Sequence, residues 1–166
     1  MQVLPKRLGK YGLTLHPEKT RLIDLEKEKG TPGSEKRTFD FLGFTHYMGL
    51  SRKGKRILKR KTSSKNLNAS LRRMSEWIKA NRHKLSMPLL IAELNQKLRG
   101  HAYYGMTFNI RRLNSYYYQT KRLLHNWLNH RGGKRVWTWE KVKKLTEEWM
   151  PLEKPRIYHS RLLAKP

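Results

Sequence analysis

At Thr62 the hydrophobic pattern of this chain passes from strand-like to helical, and that change constrains the fold more than any other feature. Before it, the stretch TFDFLGFTHYM (38–48) is dense in aromatic residues, the composition of a strand. After it, apolar residues recur at intervals of three and four. Leu67, Leu71, Met74 and Ile78 form one such stripe, Leu90, Ile91, Leu94 and Leu98 a second, and Leu113, Tyr117, Leu124 and Leu128 a third. A chain that uses period two and then period 3.6 belongs to the α+β class. Here that means an N-terminal β-hairpin unit over 1–62, then a mainly α-helical bundle of three to four helices over 63–149. Pro151 and Pro155 mark an irregular tail over 150–166.

Within that frame each boundary has a local cause. Residues 2–11 place Val3, Leu4, Leu8 and Tyr11 at helical spacing, and Gly12 stops the helix. LTL (13–15) and TRLIDL (20–25) are expected as short strands around the turn 16–19, with a polar loop at Gly30, Pro32 and Gly33. Residues 38–48 are expected as one buried strand with a bulge or close approach at Gly43, and 56–60 as the second arm of a hairpin. Ser63 or Ser64 caps a helix through about Asn81. Pro88 opens the next, which Gly100 ends, and a long helix runs from about Ile110 to His130 before Gly132-Gly133. Trp139 to Trp149 suggests a short fourth helix.

Composition enters through charge. The chain has 38 Lys and Arg against 12 acids, a formal net charge of +26. A surface so positive repels itself unless a polyanion covers it, which points to nucleic acid. From Arg52 to Lys65 no residue is acidic, while Arg52, Lys53, Lys55, Arg56, Lys59, Arg60, Lys61 and Lys65 are basic. A charged hairpin edge that discourages aggregation would need two or three lysines, so phosphate contact is the better reading of eight. The long third helix of the bundle offers a second patch: Arg111, Arg112, Tyr118, Arg122, His125 and Asn129 fall near the face opposite its apolar stripe. Tyr118 is expected to stack on a base and Tyr117 to pack in the core, with Tyr116 open between the two. Interleaved aromatics such as Trp77, Tyr103, Tyr104 and Trp127 argue for a folded binder over a disordered basic arm.

Several chemistries have no support in the residues. Absence of cysteine excludes disulfides and thiolate zinc sites, and His125 and His130 lie on different helical faces. Asp24 and Asp40, the two Asp, are too scattered for a two-metal phosphoryl-transfer site. No P-loop, GxGxxG or GxSxG occurs, so neither catalytic residues, metal ligands nor a cofactor of its own are expected. No signal-peptide-like run and no transmembrane span is apparent.

Two stretches carry a family resemblance. KYGLTLHPEKTRLIDL followed by TFDFLGFTHYM resembles the closing palm segment of group II intron reverse transcriptases. LNQKLRGHAYYGMTFNIRRLNSYYYQTKRLLHNWLNHR is similar to that family's maturase-specific thumb, domain X. Together they span roughly residues 3 to 148 in the family's order. The resemblance implies a primer-grip-like role for Phe41, Leu42 and Gly43, and a helical part that binds group II intron RNA and assists its folding and splicing. It also implies a second partner, a separate chain carrying the catalytic palm. Mg²⁺ would then enter only through the RNA or that palm, and the setting would be a bacterial cytoplasm or an organelle, away from membranes. The family's YxDD acids do not occur here, so no RNA-directed DNA polymerase activity is expected of this chain alone. His101 stands where the family often has Trp, and with no Cys among these residues the family's zinc-bearing endonuclease domain is not expected here. Two other functions remain open: a polymerase subunit whose acids come from another chain, and an inactive remnant that binds RNA non-specifically.

Overall fold

The computed structural model describes residues 3–16, 18, 20, 38–103, 105–130 and 136–159. It is α+β, a three-stranded antiparallel sheet joined to a helical bundle. The short helix α1 (Val3–Gly9) ends as Gly12 dictates. Gly12 takes φ +68°, the Leu13 N–H reaches the Leu8 carbonyl at 3.1 Å, and the Gly12 N–H reaches the Gly9 carbonyl at 3.1 Å. This paired bonding satisfies the carbonyls left over at the helix end, and glycine permits it because it lacks a Cβ. Residues 13–15 are not a strand, a correction to the sequence reading. The expected strand at 20–25 and the loop at Gly30, Pro32 and Gly33 lie outside the described residues, apart from Thr20.

The stretch 38–48 is two strands, not one. Strand β1 (Thr38–Phe41) turns through Leu42 and Gly43 into β2 (Phe44–Leu50), which pairs with β3 (Arg56–Thr62). Leu42 and Gly43 have φ of 47° and 81°, the pair of positive values that a two-residue hairpin needs to match strand twist. Read by pattern alone, FDFLGF looks continuous because Leu is a poor marker for such a turn. The expected close approach at Gly43 is real: a Cβ there would run into the Asn66 amide. The expected burial is not. Phe41 is 60% exposed and Leu42 80%, whereas Phe39 is half-buried and stacks on His46 at 4.8 Å.

The bundle follows the sequence closely. Helix α2 (Ser64–Asn81) is capped by Ser63, whose hydroxyl accepts from the Asn66 N–H at 3.3 Å, and it buries Leu67, Met74 and Ile78. Helix α3 (Met87–Tyr103) buries Leu90, Ile91, Leu94 and Leu98 and runs past Gly100, so Gly100 is internal. Helix α4 (Ile110–Asn129) buries Leu113, Tyr116, Leu124 and Leu128. Its buried tyrosine is Tyr116, while Tyr117 is half-buried. The expected break at Gly132-Gly133 lies outside the described residues.

Side-chain contacts fix the helix directions. Arg112 reaches Ser64 near the start of α2 and Trp127 reaches Ser75 further along, so α2 and α4 run parallel with their N-termini at one end. Lys97 lies over Trp77 while His101, further along α3, shares a cleft with Ser70 and Arg73, earlier on α2, so α3 runs antiparallel to α2. Helix α5 (Trp139–Lys144) is capped by Thr138 and continues into a wider π-type turn, Leu145–Trp149, closed by the Met150 N–H on the Leu145 carbonyl at 2.8 Å.

The tail is irregular but docked. Leu152 is buried, Asn95 bonds both the Pro151 carbonyl and the Glu153 N–H, and Arg99 pairs with Glu153 at 2.9 Å. Through His159 the irregular tail packs on the bundle. None of the described helices is long and apolar enough to cross a membrane.

Candidate nucleic-acid interface

Sheet and bundle meet where β3 runs directly into α2 and α4 begins beside them. Asn109, only 1% exposed, makes the joint. Its side-chain oxygen accepts from the Thr62 N–H at 2.8 Å, and its amide donates to the Thr62 hydroxyl at 2.9 Å. The Ser63 N–H adds a bond to the Gly43 carbonyl at 3.0 Å, tying the β1–β2 turn to the start of α2. Asn109 sits at the N-cap position of α4, yet its side chain does not cap that helix. Nothing local in the sequence signals this use, because the partner is 47 residues away.

This joint gathers cations that are distant in sequence. Lys65 stands exposed in the first turn of α2, and Arg111 in the first turn of α4. Arg112 donates to Ser64 Oγ at 3.2 Å, and Lys59 lies 5.4 Å from the Phe108 ring centre. Neither helix has an acid in its first turn. Cations at helix N-termini work against the helix dipole, so two such ends side by side form a locus of uncompensated positive potential. Phe108 itself has φ of 74°, an uncommon conformation for a bulky residue, held between Thr107 and the anchored Asn109.

The other expected contacts are dispersed. The β2–β3 pairing places Lys59 and Lys61 on one sheet face with Tyr47, and Arg56 and Arg60 on the other with His46 and Met48. The eight cations of 52–65 therefore do not form a single surface. Arg52, Lys53 and Lys55 are exposed at the β2–β3 turn, where the Ser51 N–H bonds the Lys55 carbonyl at 2.8 Å. Lys61 lies over Tyr47 at 5.0 Å. Phe41 and Leu42 are exposed at the β1–β2 turn, and Gly43 packs on Asn66.

Along α4 the expected patch divides. Arg122 is exposed but ten residues beyond Arg112, about 15 Å along the axis. Tyr118 is 51% exposed and meets the edge of Trp139 at 5.9 Å. His125 is a structural residue: its Nε2 donates to the Trp137 carbonyl at 2.9 Å and its ring abuts Trp139. Asn129 likewise holds Trp137, through both its carbonyl and its N–H. Helical phase alone could not show that residues 136–139 fold back over this face.

His101 and Tyr116 were not singled out from the sequence as a pair. They stack with ring centres 3.7 Å apart. Burial, reinforced by the nearby Arg73 charge, lowers the His101 pKa to about 4, and burial raises the Tyr116 phenol to about 12. The His101 Nε2 is buried and has no hydrogen-bond partner among the described residues. On the opposite side of α4, the nearly buried Lys121 pairs with Glu147 at 2.6 Å, and that hydrogen bond holds the Glu147 carboxyl below its usual range.

Among the described residues no group of three or more His, Asp or Glu is placed to hold a metal ion. Comparison with protein-family models, curated proteins and solved structures finds no match.

Proposed function

We propose that this chain is an RNA-binding module of the maturase type, which clamps structured RNA and leaves any chemistry to the RNA or to a catalytic partner. The observation that carries this reading is the joint between sheet and bundle. There Lys59, Lys65, Arg111 and Arg112 converge at two parallel helix N-termini, beside a half-exposed Phe108. Sequence supplies the second support, since no acid occurs between Asp40 and Glu76 or between Glu93 and Glu140. The ion pairs at Arg99, Lys121 and Arg156 serve packing of the C-terminal segment and lie away from the joint. Phosphates placed at the joint would offset both the side-chain charge and the helix dipoles.

The maturase assignment within this reading rests on the resemblance of residues 3 to 148 to group II intron reverse transcriptases. In that role the hairpin at Phe41, Leu42 and Gly43 would face a primer–template held by a separate palm.

Filter binding with Lys59, Lys65 and Arg111 all changed to Glu tests the joint. Affinity for RNA is expected to fall at least 100-fold, whereas Glu at Lys143 and Lys144 on α5 changes it by only a few fold. Equal losses from both variants would show that net charge alone holds the RNA. A group II intron RNA is expected to bind more tightly than a random transcript of equal length, and equal affinity would favour the non-specific remnant.

A further inference from the structure

We infer that the cleft between α2 and α3 is a pocket for a single extruded nucleobase, centred on His101. This deepens the RNA-binding reading and rests on it, because it names what the bundle takes from a single-stranded segment. The cleft has a volume of about 450 Å³ and is lined by Ser70, Arg73, Trp77, Lys97, His101 and Tyr116. Small-ligand sites span about 300–1,000 Å³, so it admits one planar heterocycle. A smaller recess of about 220 Å³ shares Ser70 and His101 and opens toward Asn66, Thr62 and Asn109 at the sheet–bundle joint. The two recesses therefore adjoin at Ser70 and His101, and the smaller one reaches the sheet–bundle joint at Thr62 and Asn109.

The polar atoms select a base over a phosphate. His101 Nε2 is buried without a partner among the described residues, at a cost that a ligand hydrogen bond would remove. The ring is stacked on Tyr116 and stays neutral near pH 7. Nε2 is closed to solvent as the side chains stand, so a base would reach it through a side-chain shift at the cleft wall and would then meet it through an amino group or a ring nitrogen, according to its tautomer. A site built for a phosphate would favour a charged imidazole. The two cations at the cleft are Arg73, bonded to Ser70 at 3.3 Å, and Lys97, 4.6 Å from the Trp77 ring centre. They suit the phosphate that precedes or follows the base, and a base stacking on Trp77 would displace the Lys97 ammonium from over its ring.

Gly100 supplies a clean means of blocking the site. It lines the cleft inside α3, and a Cβ added there meets no atom within 4 Å. Gly100→Leu therefore fills the mouth while replacing a helix-interior glycine by a good helix former.

The test titrates the four ribonucleoside 5′-monophosphates, with ribose 5-phosphate as control, into the full chain. The His101 ring-proton NMR signals are followed. At least one nucleotide is expected to shift them saturably while ribose 5-phosphate does not. Gly100→Leu should abolish the shift with the melting temperature held or raised. His101→Phe, which keeps the stack and removes Nε2, should weaken binding about 3- to 10-fold. An equal response to ribose 5-phosphate would overturn the proposal in favour of an anion site. Absence of any response to all four nucleotides would overturn it outright. A null result here combined with strong, salt-sensitive RNA binding sinks the pocket and leaves the RNA-binding module standing. Nucleotide binding combined with indifference of RNA affinity to the changes at Lys59, Lys65 and Arg111 does the reverse.

Discussion

Tyr116 and Tyr118 stand two positions apart on α4 and meet opposite environments. Tyr116 is 5% exposed and stacked on His101, whereas Tyr118 presents half its surface to solvent beside Trp139. Tyr116→Ala should cost about 3–5 kcal/mol, as loss of a buried aromatic does. Tyr118→Ala should cost about 1 kcal/mol or less, the scale of one edge-on aromatic pair. Urea midpoints for the two variants check the difference, and equal values would contradict the helix phase. His101 adds a pH dependence. Its folded pKa of about 4 lies below the ordinary 6.5, so between those values the unfolded chain binds a proton that the folded chain does not. Stability should accordingly fall as pH drops from 6.5 toward 4, by on the order of 2 kcal/mol after allowance for partial solvent exposure. Urea midpoints at pH 7.5 and pH 5 measure it. His101→Phe should flatten the difference, and an unchanged slope would assign the effect to other groups.

At the scale of elements, the β1–β2 turn carries a residue that its geometry does not favour. Leu42 occupies a left-handed conformation with its side chain largely exposed, so it pays steric strain without burial in return. Leu42→Asn should raise stability by about 1 kcal/mol, because Asn-Gly is the preferred pair for this turn. Thermal melting checks it, and a loss of stability would mean that Leu42 makes contacts the isolated chain depends on. At the joint between sheet and bundle one side chain makes two of the bonds. Asn109→Ala removes both bonds to Thr62, and the part-buried Thr62 N–H is left without its partner. A cost of about 1–3 kcal/mol is expected, with faster amide exchange in β2 and β3 than in α2 and α4. Uniform acceleration across all elements would indicate that the sheet and the bundle unfold as one unit.

For the whole molecule, the net charge of +26 sets behaviour that no single contact controls. If about six phosphates are engaged, the logarithm of RNA affinity should fall against the logarithm of salt with a slope near −4 to −5. A flat response from low to physiological salt would contradict an electrostatic clamp. A bound polyanion that prefers the folded state should also raise the melting temperature, since it relieves self-repulsion there.

Much of this molecule was legible in its sequence because helices declare themselves locally. The stripes of α2 and α3, the Ser63 cap, the Gly12 stop and the fourth helix all follow from spacing within a few residues. So did the return of β3 and the class of the fold. What the sequence left undecided depends on contacts between distant segments. The turn at Leu42-Gly43 is set by strand pairing against Leu's own preference, and the burial of Tyr116 over Tyr117 is set by where α2 and α3 lie. His125 is engaged by Trp137 and Trp139 because residues 136–139 fold over it, and Asn109 joins sheet to bundle because Thr62 is brought beside it. Charge composition by itself made an anionic partner the expectation. Which cations act together was decided only by the parallel packing of α2 and α4, because charges add where their fields overlap and sequence distance says nothing about that overlap.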